Sequence, residues 1–132
     1  MKRLNIVTNN RIEIVDITAL VRQTIKESGV VRGVCHIYVP HTTAAVTINE
    51  NSDPSVKDDI INTLNRLAPS DGKYLHTEGN ADAHIKASIV GASQSILIEN
   101  GKPVLGTWQS VFFCEFDGPR TRSVLIKIIN EK

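Results

Sequence analysis

The segment S-Q-S-I-L-I-E-N-G-K-P-V-L-G-T-W-Q-S-V-F-F-C-E-F-D-G-P-R-T-R-S-V-L-I-K-I-I, Ser93 to Ile129, decides the fold class of this 132-residue chain. Apolar and β-branched residues recur in short runs at Ser93–Glu99, Pro103–Leu105, Gln109–Phe116 and Ser123–Ile129. Asn100-Gly101 and Gly118-Pro119 punctuate them. Runs of this length, broken by turn residues, read as antiparallel strands joined in two successive hairpins. The single tryptophan, Trp108, reads as a packing residue of a buried hairpin, because Gly106-Thr107 precede it and Val111-Phe112 follow.

Upstream, Leu4–Thr8 and Ile12–Asp16 are β-branched runs around Asn9-Asn10, which predicts another hairpin. Leu20, Val21 and Ile25 recur at helical spacing over Thr18–Ser28, with Asp16 or Thr18 able to cap the start and Gly29 the end. Val30–Val39 returns to strand character. Alternation puts Cys35, Ile37 and Val39 on one face and Val34, His36 and Tyr38 on the other. His36 therefore reads as a sheet residue.

Pro40-His41-Thr42-Thr43 breaks the pattern before a further strand at Ala44–Asn49. A helix follows: Asp53 can cap it, Pro54 suits its first position, and Val56, Ile60, Ile61, Leu64 and Leu67 form its apolar stripe, with Asp58 and Asp59 on the solvated side. The sum is an α+β chain, a mostly antiparallel β-sandwich with about three helices set on one side, and the connections are too short for a doubly wound parallel sheet. Its length predicts one domain over residues 1–132.

Composition narrows the function classes. Fifteen basic and fourteen acidic residues give a net charge of +1, with no basic tail and only six aromatic residues, which argues against nucleic acid as a partner. No apolar run approaches the ~20 residues of a membrane span. The N-terminus lacks the apolar segment of a signal peptide, which predicts a cytoplasmic protein. Cys35 and Cys114 lie in apolar runs without metal-type spacing and read as buried thiols.

Chemistry concentrates in Y-L-H-T-E-G-N-A-D-A-H-I-K-A-S, Tyr74 to Ser88, where Gly79-Asn80 lead into a third helix with Asn80 as its N-cap. His84 then lies near the helix start, with His76 in the loop before it. Together with His41, these loop histidines form a candidate set for zinc or another divalent ion, leaving a coordination position open, although scattered loop histidines are also commonly unliganded. Glu50, Glu78, Asp82 and Asp117 are carboxylates able to orient an imidazole or act as a base, the plainer alternatives being a first-turn charge for Asp82 and loop polarity for Glu78. Asp117–Arg122, D-G-P-R-T-R, is a turn presenting two arginines beside an acid. It suits either bidentate phosphate recognition or a local ion pair. No nucleotide-binding glycine loop is present.

Ser93–Val111, Pro40–Glu50 (P-H-T-T-A-A-V-T-I-N-E), His76–Ser88 and Asp117–Arg120 together resemble the YjbQ family (UPF0047), also called the secondary thiamine-phosphate synthase family, over essentially the whole chain. The resemblance implies a compact antiparallel fold, a homotrimer, and a polar site able to take a metal or an anion. It points to His41, His76 and His84 as site residues, with Asn80 and Glu50 as secondary ones and Arg120 near them. It also implies a weak thiamine-phosphate synthase activity on phosphorylated substrates. Three functional classes follow: an enzyme on a small anionic substrate with His84, His76 and Glu50 catalytic and Asn80 and Arg120 holding substrate; a binding or sensing protein; and a structural role for the histidines.

Overall fold

A computed structural model describes all 132 residues. The elements run β1 (Lys2–Val7), β2 (Glu13–Asp16), α1 (Thr18–Ser28), β3 (Gly33–Tyr38), β4 (Ala44–Glu50), α2 (Pro54–Leu67), α3 (Ala81–Val90), β5 (Ser93–Glu99), β6 (Lys102–Pro103), β7 (Gln109–Glu115) and β8 (Thr121–Asn130). Five strands form one sheet in the order β1-β8-β3-β5-β6, and three form a second in the order β2-β7-β4. Every pairing is antiparallel. The α+β class and the three helices are as the sequence indicates.

The main core lies between the sheets. Cys35, Ile37, Ile96, Val124 and Ile126 from the larger sheet meet Val46, Val111 and Phe113 from the smaller, and α1 adds Val21 and Ile25, with Ile17 at its N-cap. A second cluster sits on the outer face of the small sheet, where Ala45, Phe112 and Cys114 pack under Leu64 of α2 and Ala83 and Ala87 of α3. β7 is therefore covered on both faces, which explains why V-F-F-C is continuously apolar rather than alternating. The helices are not all on one side: α1 belongs to the inter-sheet core, while α2 and α3 cover the small sheet.

Two predicted hairpins prove to be corners where the chain changes sheets. β1 pairs with β8 and β2 with β7, so neither β1–β2 nor β7–β8 is a paired unit. The Asn9-Asn10 and Gly118-Pro119 segments run side by side, tied by Thr8 N–H to Arg120 O (2.9 Å) and Gly118 N–H to Arg11 O (2.9 Å). Turn chemistry marked these reversals, but burial of both faces of β7 set the partners. The β5–β6 hairpin at Asn100-Gly101 is present, though β6 is only two residues long.

Several local expectations hold. Gly29 closes α1 in the left-handed conformation (φ 72°), and the side chain of Asp53 caps α2, with Pro54 as its first residue. Cys35, Ile37 and Val39 are buried, and both cysteines are unpaired. Trp108, by contrast, is 62% exposed. The β4–β7 ladder begins one residue later, at Glu50–Gln109, leaving the indole beyond the sheet's end. Leu67, at the end of the predicted stripe of α2, is also exposed. No helix is long and apolar enough to cross a membrane.

Candidate functional site

The corner where β1–β2 and β7–β8 change sheets abuts the β3–β4 connection and the start of α3. Together they enclose an open, polar cavity of about 560 Å³. Only one of its eleven lining residues is hydrophobic. His41, Thr42 and Thr43 reach it from the β3–β4 connection, Glu78, Asn80 and His84 from α3 and the loop before it, and Asp117, Arg120 and Arg122 from the β7–β8 corner.

One hydrogen-bonded string crosses the cavity wall. His76 Nε2 lies 3.0 Å from Asn80 Oδ1, Asn80 Nδ2 donates to Asp117 Oδ2 (2.9 Å), and Arg120 donates to the same oxygen (3.0 Å) and to the Asp117 carbonyl (2.7 Å). The Asn80 side chain is thus committed across the corner rather than to α3, so Asn80 occupies the N-cap position without a side-chain cap. His84, in the second turn of α3, stands with its ring 5.0 Å from that of His76, edge to face. His84 lines both the polar cavity and an apolar one of about 480 Å³ formed with His76, Tyr74, Leu75 and Ile85.

His41 is oriented differently. Its Nε2 accepts the Ser123 backbone N–H at 2.9 Å, which fixes the neutral tautomer with the proton on Nδ1. Burial, with the nearby Arg122 charge, keeps its pKa below the ordinary 6.5.

Two buried ion clusters support the cavity. Beneath its floor, Glu115 is fully buried and accepts from Arg122 Nε (2.8 Å) and Nη2, from the Thr8 hydroxyl (2.8 Å) and from the Asp117 N–H (3.1 Å). Arg122 Nη2 also donates to the Thr43 hydroxyl (2.8 Å). Burial alone would raise the Glu115 pKa, but these donors outweigh it and the group lies below the usual 4.5. Behind α3, Asp82 takes both Nη atoms of Arg11 (3.1 and 2.9 Å) and the ammonium of Lys86 (3.2 Å). Asp82 and Lys86 are both buried, so Asp82 is neither an exposed first-turn charge nor a base in the cavity.

The structure thus brings together His41, His84, Asn80 and Arg120, with His76 against the far side of His84. It does not bring Glu50 to them. Glu50 ends β4, whose first residue, Ala44, follows Thr43 at the cavity, so the strand carries it roughly 20 Å away within one chain. Nor do the three histidines form a ligand set, since no three His, Cys, Asp or Glu side chains are grouped to hold a metal ion. The Nε2 lone pair of His41 is already used, so coordination through that atom would cost the Ser123 bond. The donor set as it stands does not fit a three-histidine zinc centre.

Arg122 was legible only as one of two arginines near a turn, and Glu115 was not singled out, although an acid inside the apolar run F-C-E-F signals a buried, partnered charge. Lys86, four residues after Asp82 on α3, carried a similar signal.

The profile of the family described as UPF0047 protein YjbQ-like matches residues 2–131. The chain belongs to this family. A UPF0047 protein of Methanocaldococcus jannaschii is 58% identical over 130 residues, covering 98% of this chain and 94% of the relative. The UPF0047 protein YugU of Bacillus subtilis is 49% identical, covering 98% of both. Among solved structures, a YjbQ/UPF0047 family protein from Clostridium acetobutylicum superposes with a TM-score of 0.96 at 52% identity, covering 98% of this chain and 100% of its own. A YbjQ-like protein of unknown function from Sulfolobus solfataricus gives 0.94 at 34% identity, covering 98% and 96%. The family fold therefore extends over the whole chain, including the corner that builds the cavity.

Proposed function

We propose that this protein is a small-molecule enzyme whose polar cavity takes a phosphorylated or otherwise anionic substrate. The observation that carries this reading is the opening of two arginines, Arg120 and Arg122, and the N–H-bearing His41 onto one cavity. The acid among them, Asp117, is already engaged by Asn80 and Arg120. Asn80 orients His76 and fixes the wall, while His84 lies between the anion cavity and the apolar pocket, placed to move a proton near the substrate's reacting end. An oxyanion leaving group such as pyrophosphate departs more readily when fixed N–H donors meet its developing charge. Thiamine-phosphate synthesis, implied by the family resemblance, has this requirement: a carbon–nitrogen bond forms as the carbon–oxygen bond to pyrophosphate breaks.

Calorimetric titration with phosphate and pyrophosphate, followed by phosphorus NMR of a pyrimidinylmethyl diphosphate and thiazole phosphate mixture, tests the reading. Anion binding together with His84-dependent pyrophosphate release is expected; no binding of either anion refutes the anion site.

The second reading is a non-catalytic anion- or metal-binding sensor. It is favoured by the lack of an activated thiol: burial pushes Cys35 up to about 11 and Cys114 up to about 12. A ligand that raises the melting temperature and is recovered unchanged supports it. A divalent ion, zinc included, remains part of this reading through the His76–His84 pair, and elemental analysis of wild type and His84→Ala decides it.

We also place the protein in the cytoplasm as a homotrimer. In support, the outer face of the five-stranded sheet carries no helix, and Val34, Leu97 and Ile129 lie side by side on it, the last two exposed. Sedimentation equilibrium at three times the chain mass is expected.

A further inference from the structure

The side chain of Arg122 is only 5% exposed, and its guanidinium is held on one edge. Nε and Nη2 both go to Glu115, and Nη2 also to the Thr43 hydroxyl. Nη1 donates to no protein acceptor, yet no buried side-chain nitrogen or oxygen in the protein lacks a partner, so Nη1 is open to the cavity that Arg122 lines. Arg120 differs. More than half exposed, it rests on Asp117 at the rim. A buried cation clamped in one orientation with one nitrogen left over is unlike a structural ion pair, in which the donors face their acceptors.

We propose that Arg122, through Nη1, is the anchoring contact for one oxygen of the bound anion, and that Glu115 and Thr43 are positioning residues that aim it. This rests on the anion reading above and makes it specific. The Nε/Nη2 edge, which usually makes the two-pronged carboxylate or phosphate contact, is occupied by Glu115. Arg122 therefore offers the diverging N–H bonds of a single nitrogen, one to each oxygen it meets, rather than a parallel pair. The site consequently favours a ligand with several oxygens around one centre, such as a phosphate or the terminal group of a diphosphate. Its other oxygens can meet His41 Nδ1–H and Arg120. A planar carboxylate, with two oxygens to share among these donors, fits less well.

Calorimetric titration of the full-length protein with pyrophosphate, phosphate and acetate tests this, with Arg122→Lys and Arg120→Ala beside the wild type. Lysine retains the charge against Glu115 but removes Nη1. A loss of about tenfold or more in pyrophosphate affinity is expected for Arg122→Lys, against about two- to fivefold for Arg120→Ala, whose cation is solvent-screened. Acetate should bind more weakly than phosphate.

Wild-type affinity in Arg122→Lys, or a larger loss in Arg120→Ala, overturns the proposal while leaving the anion site standing. Failure of the wild type to bind either phosphate overturns both. Should Arg122→Lys not fold, Arg122→Met/Glu115→Gln removes both charges together and is expected to fold without binding; retained binding overturns the proposal. Nitrogen-15 NMR of the wild-type arginine side chains needs no variant. The clamped Arg122 guanidinium should shift on adding pyrophosphate, and a shift confined to Arg120 would also overturn the assignment.

Discussion

Glu115→Gln isolates the charge beneath the cavity with little change of shape. Glu115 is wholly buried and accepts from Arg122, Thr8 and the Asp117 N–H. Removing one partner of a buried pair leaves the other charge uncompensated, at a cost of about 3–5 kcal/mol. Arg122 keeps Nη1 toward the cavity and its water, which places the effect at the lower end, about 3 kcal/mol. With a urea m-value of ~1.5 kcal/mol/M, the unfolding midpoint should fall by on the order of 2 M. Wild type and variant must be compared at one protein concentration, because assembly shifts the apparent midpoint. The sign of the acid dependence follows from the same contacts. Burial raises the Glu115 pKa, the donors more than reverse this, and the folded-state value lies below 4.5. Its stabilisation is therefore present above about pH 4.5 and lost as pH falls through the folded value. The variant should lose that part of the acid limb. A midpoint change below ~0.5 M at unchanged m, or an unaltered acid limb, would refute the account of Glu115 as a buried, ionised partner of Arg122.

Asp82→Asn should cost about 3–5 kcal/mol by thermal or urea unfolding, since it leaves Lys86 buried without its carboxylate; a loss under ~1 kcal/mol contradicts the buried triad. Gly33→Ala drives a Cβ into the Ile129 carbonyl oxygen, so the β3–β8 backbone must shift and the melting temperature should drop sharply, whereas an unchanged value rejects that close approach. Both cysteines should resist maleimide or iodoacetamide in the native protein and react in urea, because burial pushes their thiols to about 11 and about 12; fast native labelling contradicts their burial. The His41 ring should titrate below 6.5 by proton NMR, because burial and Arg122 disfavour its charged form. That depression makes the fold less stable as pH falls from about 6.5 toward the folded-state value, and a midpoint at or above 6.5 rejects the site electrostatics.

Features that depend on neighbours along the chain were legible in the residues alone. Alternation placed Cys35, Ile37 and Val39 inside; Asp53-Pro54 and Gly29 marked helix ends; Asn100-Gly101 marked a hairpin. These signals come from backbone preference and the two- or 3.6-residue period, which act over a few residues. Sequence motifs also carried the family, and loop placement drew attention to His41 and His84, both of which line the cavity. Tertiary structure decided the partners. Asn9-Asn10 and Gly118-Pro119 look like hairpin turns, yet each carries the chain between sheets, because the faces of β7 are buried by elements far away in sequence. Asn80 was legible as an N-cap, but its side chain is claimed by His76 and Asp117, the latter 37 residues away. Glu50 looked equivalent to the other loop acids until the length of β4 separated it from the cavity. Arg120 and Arg122 are two residues apart, one just before β8 and one in its first residues. Only the depth of the corner distinguishes the solvated arginine at the rim from the one clamped on Glu115, because burial and charge pairing belong to the packed molecule and not to the local sequence.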